Sequence, residues 1–221
     1  MILVYPVCPD RENERLRYSL RSVAAHLPDA EVILLGGRPS WVRGVAHLPY
    51  RQVKTWKGNV PRMLRSFVQE APDQWTLMND DFFAMSTNPR TEAGYWGSMA
   101  QLAVQPGFKS GWYATATHIT ASALRAWGHE NPLAFDRVHR PLPIDNHVLS
   151  QALERVGSSD VLIRSLYGNL VGSVEVTDAK VRGYADSPPE EGWMSTGRDS
   201  WRGYAGRVVR SQFRHKSRFE A

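Results

Sequence analysis

Two adjacent carboxylates, Asp80 and Asp81, stand in the run Asn79-Asp80-Asp81-Phe82-Phe83. Neighbouring acids that follow an apolar segment can hold a divalent cation, Mn²⁺ or Mg²⁺, between themselves and the two phosphates of a nucleotide diphosphate. Neutralising that leaving group lowers the barrier to transfer. The same tripeptide can also be a turn that caps a helix. The flanking phenylalanines argue for burial, where paired carboxylates without a cation are costly. A second cluster runs from Asp10 to Ser22, where Arg17 and Arg21 are four apart and share one helix face. Free N–H groups at the start of such a helix, with guanidinium groups nearby, can cradle phosphate or uracil-ribose; the alternative is a salt-bridged surface helix. In His139-Arg140-Pro141-Leu142-Pro143-Ile144-Asp145 the prolines hold an extended loop and present His139 rigidly. An imidazole that titrates near neutrality can take the proton of an attacking hydroxyl, and Asp145 is a second candidate base. His118 and His147 are further histidines of the same type. Lys57 and Asn59, in Trp56-Lys57-Gly58-Asn59, are expected in a loop before a helix, contacting a sugar or phosphate or forming a plain turn.

These residues need a scaffold, and the apolar pattern supplies one. Ile2–Val7 and Glu31–Leu35 read as strands covered on both faces. Between them Leu16, Leu20, Val23, Ala24 and Leu27 recur at helical spacing, with Asp10 or Asn13 as N-cap and Pro28 as the stop. This β-α-β unit implies a parallel sheet with right-handed crossovers. Met63, Leu64, Phe67 and Val68 give another helix, and Gln74–Met78 a strand that runs into Asn79. The acids therefore sit at the C-terminal end of a strand, the edge where open α/β sheets bind ligands. Beyond them, Thr87–Gly107 reads as loop or short helices over the site and Trp112–Thr115 as a strand. Ala121–Trp127 and Asn146–Val156 read as helices, and Val161–Ile163 as a last strand. Asp178–Glu191, with Gly183, Pro188 and Pro189, marks a connector. The expected organisation is α/β in a single domain, residues 1–178 forming the catalytic body and 179–221 a basic C-terminal segment packed on it or extending it.

Composition narrows the function further. With 221 residues, 42% of them hydrophobic, the chain can bury one sizeable core, which excludes disorder and disulfide miniproteins. The single cysteine, Cys8, points to an intracellular, cytoplasmic protein, and no apolar stretch is long enough to span a bilayer. The net charge is +5. Arg202, Arg207, Arg210, Arg214, Lys216 and Arg218 face only Glu220 in the last stretch, so that segment carries the whole surplus. Such a segment suits phosphate on a nucleotide, a nucleic acid or an anionic lipid, or is simply a solvated helix face. No phosphate loop, dinucleotide fingerprint or nucleophile elbow is present.

Glu14–Ser22, then Val32–Leu35, Pro39-Ser40-Trp41-Val42 and Asn79-Asp80-Asp81 together resemble the conserved block of the Stealth proteins, sugar-1-phosphate transferases of capsule synthesis and lysosomal-enzyme tagging. The remainder resembles shorter bacteriophage-encoded glycosyltransferases in Asn79–Phe83, His139-Arg140-Pro141, Tyr167-Gly168-Asn169, Asp178-Ala179-Lys180, Ser195-Thr196 and Ser217–Glu220. The resemblance implies a GT-A-like nucleotide-sugar-binding sandwich with a mostly parallel central sheet. It also implies metal and diphosphate at Asp80 and Asp81, with Asn79 beside them, and a catalytic part for His139. Stealth proteins carry an N-terminal Tyr-Thr-Trp-Val segment where this chain has Val4-Tyr5-Pro6-Val7, a departure that favours plain sugar transfer. The expectation is a metal-dependent glycosyltransferase that takes a sugar from a UDP-sugar to a hydroxyl acceptor. Arg17, Arg21, Asn79, Asp80, Lys57 and Asn59 are assigned to the donor, and His139, Asp81 and Asp145 to the chemistry. Compatible acceptors include modified phage DNA, reached through the basic C-terminal segment, a protein or a surface glycan. The rivals are a sugar-1-phosphate transferase at the same site and a nucleic-acid-binding protein without catalysis.

Overall fold

The computed structural model describes residues 1–9, 12–51, 56–190 and 192–221, with Trp56 and Lys57 by backbone alone. The chain opens with β1 (Ile2–Val7), α1 (Glu14–His26), β2 (Glu31–Gly36), β3 (Ala46–Leu48), α2 (Trp56–Phe67) and β4 (Gln74–Leu77). β1 lies between β2 and β4 and is parallel to both, and β3 extends the sheet beside β2. Its apolar run is explained by that central place: Leu3, Val4, Tyr5 and Val7 are buried from two sides.

α1 starts at Asn13, whose side chain accepts from the Leu16 amide at 3.1 Å. Asn13 has φ 29, a left-handed conformation that asparagine tolerates better than most residues. The other expected cap, Asp10, lies outside the described residues. Leu16, Leu20 and Val23 form the inner face of α1, and burying each is worth about 1.5–3 kcal/mol. At the end of β2, Gly36 has φ 92, and a Cβ there would meet the Val7 carbonyl oxygen at 2.8 Å. The ends of β1 and β2 can approach this closely only because glycine stands there.

The middle of the chain holds β5 (Phe82–Ala84), β6 (Gly94–Tyr95), β7 (Gly97–Ser98), α3 (Met99–Ala103), a 3-10 turn at Pro106–Phe108, α4 (Gly111–Ala126), β8 (Leu133–Ala134) and β9 (Leu142–Asp145). β9 runs antiparallel on the outer side of β4 and completes the central sheet in the order β3-β2-β1-β4-β9. Next come α5 (Asn146–Val156), α6 (Ile163–Gly168), β10 (Val174–Glu175), β11 (Lys180–Val181), β12 (Trp193–Thr196), α7 (Arg198–Arg202) and α8 (Tyr204–Gln212). α2, α5 and α6 supply the apolar layer on one side of the central sheet, and α1 supplies the other. The class is thus α/β with a mostly parallel central sheet, as expected.

Residues 179–221 share their core with the preceding chain. β12 pairs antiparallel with β5 and parallel with β11. Phe83 and Met85 pack with Met194, Trp201, Val209 and Phe213, and Phe219 is buried against the α1 layer.

Two expected strands are helical or irregular instead. Trp112–Thr115 is the first turn of α4, and Val161–Ile163 is a buried link whose last residue opens α6. Both are short apolar runs, which periodicity alone does not assign. Their neighbours decide: the Leu162 amide is held by Thr120 Oγ1 at 2.9 Å, so α4 and not a sheet partner satisfies it. The loop expected at Lys57 and Asn59 is the first turn of α2. Among the described residues no helix is long and apolar enough to cross a membrane.

Candidate functional site

A cavity of about 550 Å³ opens at the C-terminal edge of β1 and β4. The β1 end contributes Pro6 and Cys8, and the β4 end Asn79, Asp80 and Asp81. Arg15 reaches it from α1, Trp112 and Tyr113 from α4, Asp136 and His139 from the β8–β9 loop, Arg164 from α6 and Lys180 from β11. Titratable groups far apart in sequence thus converge on the crevice that the strand order creates.

The two acids are anchored differently. Asp80 Oδ2 accepts from Asn13 Nδ2 at 2.9 Å, so the residue that caps α1 also fixes the carboxylate. Asp81 is buried and accepts from Ser195 Oγ at 2.8 Å, with Lys180 Nζ at 3.4 Å. Burial, and then the neighbouring Asp81 charge, raise the Asp80 carboxyl above the ordinary aspartate value, while Asn13 and Arg15 oppose the rise. A cation between the acids would relieve that repulsion, so this pair fits a divalent metal. It would have to be completed by substrate or water oxygens. Among the described residues no group of three or more His, Cys, Asp or Glu side chains is placed to hold a metal by itself.

Arg164 is the main residue that sequence reasoning missed. Its guanidinium donates to the Arg140 carbonyl at 2.6 Å and to Asn79 Oδ1 at 3.3 Å, and lies 5.3 Å from the centre of the Phe82 ring. Burial pushes it down to about 10, against the pull of Asp136 and Asp81. Asp136 in turn is raised by burial, although it accepts from the Ser165 hydroxyl at 2.5 Å and the Ser165 amide at 3.0 Å. Lys180, Asp136 and Asp178 were likewise not singled out for the site. Each stands in an unremarkable polar segment, and only the folding of the β8–β9 loop and β11 onto the β4 edge gathers them.

His139 lines the cavity, as Asn79, Asp80 and Asp81 do. Its Nδ1 lies 2.9 Å from Asp178 Oδ1 and 3.1 Å from the Arg137 carbonyl oxygen. Asp178 Oδ1 also accepts the amides of His139 and Lys180 at 3.1 Å each, and Arg182 bonds Oδ2. Burial alone would raise the Asp178 carboxyl, but His139 and Arg182 hold it well below the carboxylate range.

Other expected site residues lie elsewhere. Arg21 is clamped to Glu220 by two bonds of 2.7 and 2.8 Å and to the carbonyls of Phe213 and Arg214. Arg17 lies over Trp41, 4.7 Å from the ring centre, and 3.8 Å from Glu220. Both therefore hold the C-terminal segment, and on α1 it is Arg15 that lines the cavity. Asp145 is the N-cap of α5, accepting the amides of His147 and Val148, and pairs in register with Gln74 at the opposite end of β4. That position excludes it as a base for this cavity. Asn59 is fully buried in α2, and the Lys57 side chain lies outside the described residues. His118 and His147 are exposed away from the cavity.

No family model and no curated protein matches the chain. Similar solved structures include the galactosyltransferase LgtC in complex with donor and acceptor sugar analogs, at 14% identity and TM-score 0.45, covering 82% of this chain and 76% of that one. An active-site mutant of LgtC matches at the same identity and TM-score, covering 82% of this chain and 75% of the other. The apo glycosyltransferase GlyE of Streptococcus pneumoniae TIGR4 matches at 11% identity and TM-score 0.30, over 58% of this chain and 39% of its own.

Proposed function

We propose that the protein is a GT-A-type glycosyltransferase that moves a sugar from a nucleotide-diphosphate donor, UDP-linked, to a hydroxyl acceptor. The observation that carries this reading is the meeting of two adjacent carboxylates with Arg15, Arg164 and Lys180 in one cavity at the ligand-binding edge of an α/β sheet. Asp80 and Asp81 would hold Mn²⁺ or Mg²⁺, which when bound neutralises charge on the diphosphate. Arg164, held by the Arg140 carbonyl and Asn79, offers a fixed guanidinium to the phosphates. His139 faces the acceptor. As the acceptor oxygen bonds to the anomeric carbon, the bond from that carbon to the diphosphate breaks, its electron pair leaves on the nucleotide diphosphate, and the hydroxyl proton passes to His139.

Incubation with UDP-sugars and Mn²⁺ tests the reading through the released nucleotide. UDP supports glycosyl transfer, and UMP replaces it with phosphosugar transfer. Asp80→Asn should abolish metal-dependent release while leaving the melting temperature within a few degrees. Full turnover by that variant defeats the assignment of the acids.

A further inference from the structure

His139 is held from one side only, and the atoms that hold it are all acceptors. Nδ1 meets a carboxylate oxygen of Asp178 at 2.9 Å and the Arg137 carbonyl oxygen at 3.1 Å. Neither can donate, so the hydrogen of that contact must sit on Nδ1. Nε2 makes no protein hydrogen bond among the described residues, and the ring lines the cavity. Asp178 does not depend on the ring for its own position. The amides of His139 and Lys180 both donate to Oδ1, and Arg182 bonds Oδ2. The ring thus meets an acceptor already fixed by three other donors.

We infer that Asp178 is a positioning residue that holds His139 as the Nδ1–H tautomer, leaving the Nε2 lone pair on the cavity side to take the acceptor proton. The catalytic half of this inference rests on the transferase reading; the tautomer does not. A free histidine side chain prefers the opposite tautomer, with hydrogen on Nε2, which cannot accept a proton there. When Nε2 takes the proton, the imidazolium keeps its Nδ1–H bond to Asp178, whose negative charge stabilises it. Asp178 itself stays ionised, because the His139 ring, Arg182 and the His139 amide hold it so. Of the charged groups near the ring, Asp136 interacts with it, Arg182 and Lys180 are committed to Asp178 and Asp81, and Arg164 in the same cavity is held by the Arg140 carbonyl.

The full chain with ¹⁵N-labelled histidine decides the tautomer in the absence of donor, with His139→Gln identifying the signals. At a pH where the ring is neutral, wild type should show hydrogen on Nδ1. Asp178→Ala should move it to Nε2. Asp178→Asn keeps an Oδ1 acceptor for the ring and both amides while removing the charge, and Arg182 is exposed enough to swing clear of the new amide. This variant should keep the tautomer. It should also lose about tenfold or more in kcat, a part of the roughly 10²–10⁴-fold that a positioned base supplies, with KM for the donor little changed. Melting curves confirm that it folds. Hydrogen on Nε2 in wild type overturns the inference, as does an Asp178→Asn protein with unchanged kcat. If no nucleotide sugar is turned over by wild type, the transferase reading fails while the spectra still decide what Asp178 does.

Discussion

At the scale of single residues the site is a balance of buried charges, and each member depends on its neighbours. Asp80 is raised because burial and Asp81 both penalise its ionised form. A group raised in the folded state favours folding below its unfolded value and loses that contribution as pH rises through the folded one. At neutral pH the ionised pair is therefore a cost that a cation removes. Mn²⁺ should raise the melting temperature more at pH 7 than at pH 5, and its affinity should begin to fall on acidification above the ordinary aspartate range. Melting curves check the first and titration calorimetry across pH the second. Arg164→Ala removes the bonds to the Arg140 carbonyl and Asn79. A charged hydrogen bond is worth about 1.5–3 kcal/mol, so UDP affinity should fall at least tenfold, measured by the same titration. Unchanged affinity would remove Arg164 from the donor site. Asp80 and Asp81 could be read from the sequence because two acids following a strand are a local pattern. Arg164 could not, because nothing in its own segment distinguishes it from a surface arginine.

At the scale of elements, α1 does two things with opposite faces and ends. Its N-terminus places Asn13 and Arg15 at the cavity, and further along Arg21 clamps Glu220. The helix was legible from its spacing, but the direction of its arginines was not. A helical wheel groups Arg17 with Arg21 without saying what covers them, and the C-terminal segment does so. Glu220 is buried, and burial alone would raise its carboxyl, yet the Arg21 bonds hold it below the ordinary 4.5. Its contribution to stability is thus present above the unfolded value and lost as pH falls through the lower folded one. Glu220→Gln should lower the melting temperature at pH 7, and the difference should shrink progressively on acidification below the ordinary glutamate range, as read by calorimetry. A deficit that does not change with pH would mean that charge is irrelevant to the clamp. The two misread strands have the same cause: Trp112–Thr115 and Val161–Ile163 are apolar runs too short to show a period, and packing between α4 and α6 assigns them.

At the scale of the whole molecule, the C-terminal segment is part of the body that positions the site. Phe219 is 2% exposed among α1-side core residues, and Ser195 and Lys180 bring the β11–β12 pair against Asp81. Phe219→Ala should cost about 3–5 kcal/mol of stability, visible as a lower denaturant midpoint with a similar slope. Loss within about 0.5 kcal/mol would show that the segment is not docked in solution. A bound donor acts on the same scale: at a hundredfold excess over Kd it stabilises the native state by about 2.7 kcal/mol, roughly a 5 °C or larger rise in melting temperature. Of the basic residues, Arg202, Arg207, Arg214, Lys216 and Arg218 stay exposed, while the acid among them is buried. The sequence by itself determined the β-α-β start, the parallel sheet and the acids at the end of β4, because hydrophobic period and strand-end position are properties of neighbouring residues. Only the tertiary structure decided that Arg164, Lys180, Asp136 and His139 share that cavity, with Asp178 bonded to His139, and that Arg17, Arg21 and Asp145 do not. Which long side chain reaches a crevice depends on how distant elements dock, and that is set by the packing of the whole core.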